Sequence, residues 1–387
     1  MAIVVNRRLP RAPASRTREL FELAQARKDV INFGIGEPAF ATPQVICDAA
    51  KSAIDEGYTH YSSNLGFSEL REAIAAKLRR ENAIPATMEN VMVTVGAAQA
   101  LFLAIFTLIN EGDGVVVFEP AFSLYASLIE LCGGRPIAVP LDESAGYHVD
   151  LDRLSTALRP GAKGMIVNSP HNPTGMVMRG QEIGALAELA QRHDLWVISD
   201  EVYEKIVYDG RRHLSMASLP GLAERTVTVN SFSKSFAMTG WRIGYLAAPA
   251  QLLEQMLKLH QNTVACANTI AQRAALAALR HSDELTAEML QRYTALRKLF
   301  LQGIGSITGV SCTEPEGTFY AVLATAGLGT GSAELATRLL ERHGVVVVPA
   351  ESFGTGSLDF VRLSYCLPEQ QLRRGLVRLA SGFSDLQ

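Results

Sequence analysis

Short apolar runs alternate with helical patterns along most of the chain. Residues 91–95, 115–118, 164–167, 195–199, 226–230 and 243–247 are rich in Val and Ile, are bounded by turn residues, and predict strands. Between them, apolar positions at helical spacing predict helices over 98–109, 122–132, 150–158 and 181–193. Within the strands the apolar residues do not alternate with polar ones, as burial of a sheet on both faces requires. Repeated strand, helix, strand units predict an α/β fold with a mostly parallel sheet between helices. After residue 251 the pattern changes to long helices over 252–261 and 271–300. Shorter strands over 318–323, 345–348 and 360–364 follow, with helices over 333–343 and 368–380. This part predicts a smaller α+β domain. The expected division is 1–44 as an N-terminal arm with part of the small domain, 45–285 as the large domain, and 286–387 as the small C-terminal domain.

Composition narrows the class. At roughly 150 residues per domain, 387 residues imply two or three domains. Hydrophobic residues at 48% and charged residues at 19% supply a sizeable core and exclude a disordered chain. A net charge of −3 gives no basic field to recruit nucleic acid. The longest apolar stretch, 100–109, falls far short of the roughly 20 residues that span a bilayer, so no membrane span is expected. Arg7, Arg8, Arg11, Arg16 and Arg18 with no acid among them imitate a transit peptide, but Pro10 and Pro13 interrupt it. A solvated arm leading into a helix capped by Ser15 is expected instead. The five cysteines form no C-x-x-C pair and predict buried free thiols in a reducing, cytoplasmic setting. The eight histidines show no H-x-x-x-H spacing, and no metal site is expected.

The polar residues of interest follow the predicted strands. Gly96-Ala97-Ala98 ends one, Asn168 to Gly175 another, Asp200-Glu201-Val202-Tyr203 a third, and Ser231-Phe232-Ser233-Lys234 a fourth. In an open α/β sheet, ligands bind outside the carboxyl ends of the strands, so these segments should converge. Free N–H groups of Ala97 and Ala98 at a helix start suit a phosphate. Ser231, Ser233 and Arg242 add donors to it. Asp200 offers a shielded carboxylate, and Asn172 and Tyr203 offer neutral hydrogen-bonding groups. Lys234 offers an amine that desolvation can make nucleophilic. Taken singly, each has a plain structural reading: a cap, a turn tetrapeptide, a solvated lysine, an ion pair. In order on successive strand ends, they describe a seat for pyridoxal phosphate, which needs a lysine and an acid facing its ring nitrogen. Two glycine loops, at 34–39 and 327–331, imitate dinucleotide fingerprints, but Pro38 blocks helix entry in one and Ser332 spoils the other.

The chain resembles the class I/II aminotransferases, fold type I pyridoxal-phosphate enzymes. The likeness runs from Ser15 through Ser364. It is most specific in N-x-P-H-N-P-T-G at 168–175, D-E-V-Y at 200–203 and S-F-S-K-x-x-x-M-T-G-W-R-I-G-Y at 231–245. The resemblance implies that Lys234 binds the cofactor covalently and then shuttles protons, while Asp200 keeps the pyridine nitrogen protonated. It implies that Tyr203 and Asn172 hydrogen-bond the ring oxygen and that Phe122 stacks on the ring. Ala97, Ala98, Ser231, Ser233 and Arg242 would hold the phosphate, with Tyr61 reaching in from a second subunit of a homodimer. Gly36 and Arg362 would take the substrate carboxylate of an amino acid or a 2-oxo acid.

The departures bear on substrate. Ala98 stands where some aspartate-preferring relatives carry Lys. Leu65 and Phe67 reshape a loop after Tyr61, Ala39 and Ala350 replace the usual Asp and Gly, and 265–268 lack an S-x-P pattern. An apolar or aromatic amino donor is the resulting expectation. Alternatives are a lyase, cyclase or β/γ-replacement enzyme on the same cofactor seat, and a nicotinamide-dependent dehydrogenase using the Gly327 loop. A ligand-sensing regulator would carry a DNA-binding helix-turn-helix, for which the residues before Ser15 give no room.

Overall fold

Each apolar run becomes a strand because it has two apolar faces to bury. The computed structural model describes residues 9, 22, 24, 27, 29–158, 161–354 and 359–385. Ser15 and the arginine-rich arm lie outside the described residues. In chain order the strands are β1 (Ile31–Asn32), β2 (Val91–Thr94), β3 (Gly114–Glu119), β4 (Arg135–Pro140), β5 (Ala162–Asn168), β6 (Trp196–Asp200) and β7 (Thr226–Ser231). They continue as β8 (Gly244–Ala247), β9 (Ser311–Cys312), β10 (Tyr320–Ala324), β11 (Val345–Val346), β12 (Val348–Pro349) and β13 (Phe360–Ser364). The helices are α1 (Gln44–Asp55), α2 (Ser68–Asn82), α3 (Gly96–Leu108), α4 (Leu124–Leu131), α5 (Leu151–Ala157) and α6 (Gly180–Arg192). After them come α7 (Phe232–Ser235), α8 (Ala250–Thr263), α9 (Thr269–Arg280), α10 (Ser282–Ile304), α11 (Ser332–His343) and α12 (Glu369–Ser384).

The main sheet has seven strands in the order β2-β8-β7-β6-β5-β3-β4, and only β8 runs against its neighbours. Strand β3 shows why the apolar run is continuous. Val115 and Val117 pack with Leu101, Ala104 and Ile105 of α3, whereas Val116 and Phe118 pack with Ile183, Leu186 and Ala190 of α6. A four-stranded antiparallel sheet, β12-β13-β10-β9, packs with α10, α11 and α12, and β1 pairs in parallel with β11. No helix among the described residues is long and apolar enough to cross a membrane.

Three expectations need correction. The helix over 271–300 is two helices, because His281 (φ −110°, ψ 19°) leaves the helical path. Asp283 and Glu284 then sit in the first turn of α10, where the helix dipole favours acids. The strand over 345–348 splits, β11 pairing with β1 and β12 with β13. The cysteines are free, but only Cys132 and Cys366 are buried; Cys47, Cys266 and Cys312 are half-buried. Strand β4, absent from the sequence reading, is a sheet edge, where Pro136 and Pro140 are tolerated.

Candidate active site

Every expected site residue except Tyr61 lines one cavity of about 460 Å³ at the carboxyl ends of the parallel strands. One side is a ready-made anion cradle. Gly96 takes φ +74°, and a Cβ there would lie 2.6 Å from Arg242 Nη2, so only glycine lets the arginine close on the start of α3. The first-turn N–H groups of Ala97 and Ala98 have no intrahelical acceptor, and both residues line the cavity. Ser231 caps α7, its Oγ accepting from Ser233 N at 3.1 Å and lying 2.9 Å from Ser233 Oγ.

The acid comes from β6. Asp200 lies opposite Asn168 in the β5–β6 register, and Asn168 Nδ2 donates to Asp200 O at 3.0 Å. Asn168 Oδ1 also accepts from Asn172 N at 2.9 Å, which pins Asn172 at the cavity. The Asp200 carboxylate accepts from Tyr125 Oη at 2.6 Å and from Val202 N at 3.3 Å. Burial pushes its carboxyl up to about 6, against the lowering effect of those two donors. No cation of the described residues pairs with it within 4.0 Å. Lys234, from α7, is half-buried, and its Nζ donates to Gly36 O. Tyr293 Oη donates to the Lys234 carbonyl at 3.1 Å.

The opposite charge comes from β13. Arg362 is 6% exposed and donates to Gly34 O at 2.5 Å and to Asn172 Oδ1 at 3.4 Å, leaving Nε without a partner. No carboxylate of the described residues pairs with it. Burial lowers its pKa from the usual guanidinium value. Its guanidinium lies over the rings of Tyr320 (4.4 Å) and Phe353 (5.2 Å). Tyr203 is buried with its hydroxyl 3.0 Å from Tyr320 Oη, and burial raises its phenol well above the ordinary value. Phe122 lies at the cavity, edge-on to Tyr125.

Tyr61 lies elsewhere. It is 89% exposed and lines a separate surface cleft with His60, Cys266 and Asn268. Sequence reasoning missed Tyr125, Asn168 and Tyr320, which all line the cavity. Only Tyr125 carried a signal, three residues after Phe122 at a helix start. The Gly327 loop lies outside the cavity lining.

The family model for aminotransferase class I and II matches residues 28–379. The chain belongs to the class I and II aminotransferases. It is 41% identical to an aspartate aminotransferase of Pyrococcus abyssi, over 97% of each chain. It is 38% identical to an aromatic-amino-acid aminotransferase 2 of Thermococcus litoralis, again over 97% of each. Its fold matches the aspartate aminotransferase from Thermus thermophilus solved with maleate at a TM-score of 0.93. That match has 36% identity and covers 98% of this chain and 100% of the other. The aminotransferase family works with pyridoxal phosphate on amino acids and 2-oxo acids, and this chain is an enzyme of that kind, not a dehydrogenase. Its residues fit that group: a buried carboxylate with no cation of the described residues within 4.0 Å, a buried guanidinium with no carboxylate partner among them, and the N-terminus of α3 share one cavity.

Proposed function

We propose that the cavity seats pyridoxal 5′-phosphate and that the enzyme moves an amino group from an apolar or aromatic L-amino acid to a 2-oxo acid. The observation that carries the reading is Arg362, a buried guanidinium unpaired with any described carboxylate and lining the same cavity as Lys234 and Asp200. A buried cation left in this way stabilises an incoming anion strongly, and a guanidinium grips a carboxylate in bidentate fashion.

When bound, the cofactor would supply an electron-withdrawing ring and an aldehyde for the amino group. Lys234 Nζ would bind that aldehyde and later carry the proton between the substrate α-carbon and the group's own carbon. Asp200 would hold the ring nitrogen's proton. Its burial, with no cation of the described residues within 4.0 Å, favours such a partner. Tyr203 and Asn172 would donate to the ring oxygen, and Phe122 would cover a ring face. Ala97, Ala98, Ser231, Ser233 and Arg242 would hold the phosphate. Arg362 and Gly36 would orient the substrate carboxylate.

The donor assignment rests on the remaining wall, which includes Ile35, Ala98, Leu101 and Phe122. A second reading, aspartate as donor, draws on the name of the Pyrococcus abyssi relative. The homodimer enters through Tyr61, whose exposed ring would complete the phosphate site of a second copy. The division at 45–285 and 286–387 belongs to the same reading, with the cofactor held mainly by the first part. Free thiols fit a reducing, cytoplasmic setting. The test is a half-reaction screen of the loaded enzyme with phenylalanine, leucine and aspartate, followed by 2-oxo acids. Phenylalanine should outrun aspartate, and a 2-oxo acid should restore the starting spectrum. Loss of the amino group without recovery by any 2-oxo acid would point to lyase or replacement chemistry.

A further inference from the structure

Tyr320 stands between two residues that the site needs and makes contact with both. Strands β10 and β13 pair Tyr320 with Ser364 and Val322 with Arg362, so Tyr320 and Arg362 are diagonal neighbours on one face of the sheet. The Arg362 guanidinium lies 4.4 Å from the centre of the Tyr320 ring. The Tyr320 hydroxyl lies 3.0 Å from that of Tyr203. Tyr320 is 2% exposed, yet it lines the cavity. Its hydroxyl occupies the space a side chain at position 36 would take: a Cβ on Gly36 would lie 2.0 Å from it.

We propose that Tyr320 is a positioning residue that ties the carboxylate-binding Arg362 to Tyr203, and that it acts on the cofactor's ring oxygen through the Tyr203 hydroxyl. The inference rests on the reading of the cavity as a pyridoxal-phosphate seat. Tyr203 has one hydroxyl proton. A Tyr203 that donates to the ring oxygen has only its lone pairs left for Tyr320, so Tyr320 becomes the donor between the two phenols. Both phenols are buried, and both oxygens keep their partners in this arrangement. Hydrogen bonds in such a chain polarise one another, so the Tyr320 donor strengthens the Tyr203 donor. The Tyr320 side chain meanwhile holds Arg362 in two ways, by a cation–π contact of its ring and by a hydrogen bond of its hydroxyl, which accepts from the guanidinium. One side chain thus acts on both neighbours, through its hydroxyl on Tyr203 and through hydroxyl and ring on Arg362.

Substitutions divide them. Tyr320→Phe keeps the ring over Arg362 and removes the hydroxyl's bonds to Tyr203 and Arg362; Tyr320→Leu removes the ring contact as well. A donor to the ring oxygen favours the form of the loaded enzyme that has lost its proton. Weakening it therefore raises the pH midpoint of the visible absorption change. In Tyr320→Phe that midpoint should rise by roughly 0.5–1 pH unit, as loss of one ordinary hydrogen bond implies. It should rise further in Tyr203→Phe. KM for the amino donor should rise about tenfold in Tyr320→Leu, and by less in Tyr320→Phe, which keeps the ring contact. A midpoint shifted in Tyr203→Phe but unmoved in Tyr320→Phe overturns the proposal and leaves the site reading standing. A midpoint unmoved in both overturns the site reading and the proposal together. A KM in Tyr320→Leu equal to that of the parent enzyme overturns the tie to Arg362.

Discussion

Tyr125 Oη lies 2.6 Å from Asp200 Oδ2, and both side chains are buried. The tyrosine comes from α4 and the aspartate from the end of β6, so the bond joins a helix to the sheet beneath it. It is also the shorter of the two hydrogen bonds that offset burial of the carboxylate. A hydrogen bond to a charged group contributes about 1.5–3 kcal/mol. Tyr125→Phe should therefore weaken cofactor retention by roughly 10–100-fold, read as the dissociation constant for pyridoxal phosphate by equilibrium dialysis. An unchanged constant would show that Asp200 needs no help from Tyr125.

The same carboxyl gives the cofactor-free protein a pH signature. Its folded pKa is about 6 against an ordinary 3.8, so folding favours the protonated form. The stability this contributes is fully present below about pH 4 and is lost as pH rises through 6, by roughly 3 kcal/mol. Glu201 adds repulsion, while Lys234 and the Tyr125 hydrogen bond oppose it. Thermal unfolding of the cofactor-free protein and of Asp200→Asn between pH 4 and 7 isolates this effect. The parent's Tm should fall by a few degrees relative to the variant as pH rises. A difference constant across that range would falsify the assignment of the shift to Asp200.

Lys234 is half-buried in a short helix, its amine held by the Gly36 carbonyl at the cavity. Reduction of the loaded enzyme with borohydride should fix the cofactor to one peptide, and mapping should find it on Lys234. Lys234→Ala should lose both the covalent link and turnover, since a single side chain serves as anchor and proton carrier. A label on another lysine, or ordinary turnover in the variant, sinks the role proposed for this residue.

Much of this architecture was legible because burial on two faces writes long apolar runs into the chain. Strand β3 and its neighbours are such runs, and each candidate group follows one of them. Strand β4 was not legible, since an edge strand with Arg135 exposed and two prolines lacks that signature. The break at His281 left the helical periodicity intact on both sides, and only the acids at 283 and 284 mark a new helix start. Within the site, the motif residues are legible in the sequence and their supports are not. In the sequence Asn168 is part of a turn motif, but its hold on both Asp200 and Asn172 needs the β5–β6 register. Tyr320 reaches Tyr203 across 117 positions of sequence, a contact that no local pattern encodes.

Ala98 offers the sharpest test of donor choice. It is exposed in the first turn of α3 and lines the cavity, with no charge of its own to offer a second carboxylate. Ala98→Lys would place an ammonium there. A cation at a helix N-terminus opposes the macrodipole, costing about 0.3–1 kcal/mol, a small fraction of a domain's stability. An exposed ion pair with the distal carboxylate of aspartate gives about as much back, and a partly desolvated one gives more. The ratio of kcat/KM for aspartate to that for phenylalanine should therefore rise about tenfold in the variant, with the gain mainly in KM for aspartate. If the parent enzyme instead uses aspartate well and the added lysine changes nothing, the distal carboxylate is already held by another cation. In that case the apolar wall of Ile35, Leu101 and Phe122 does not select the donor.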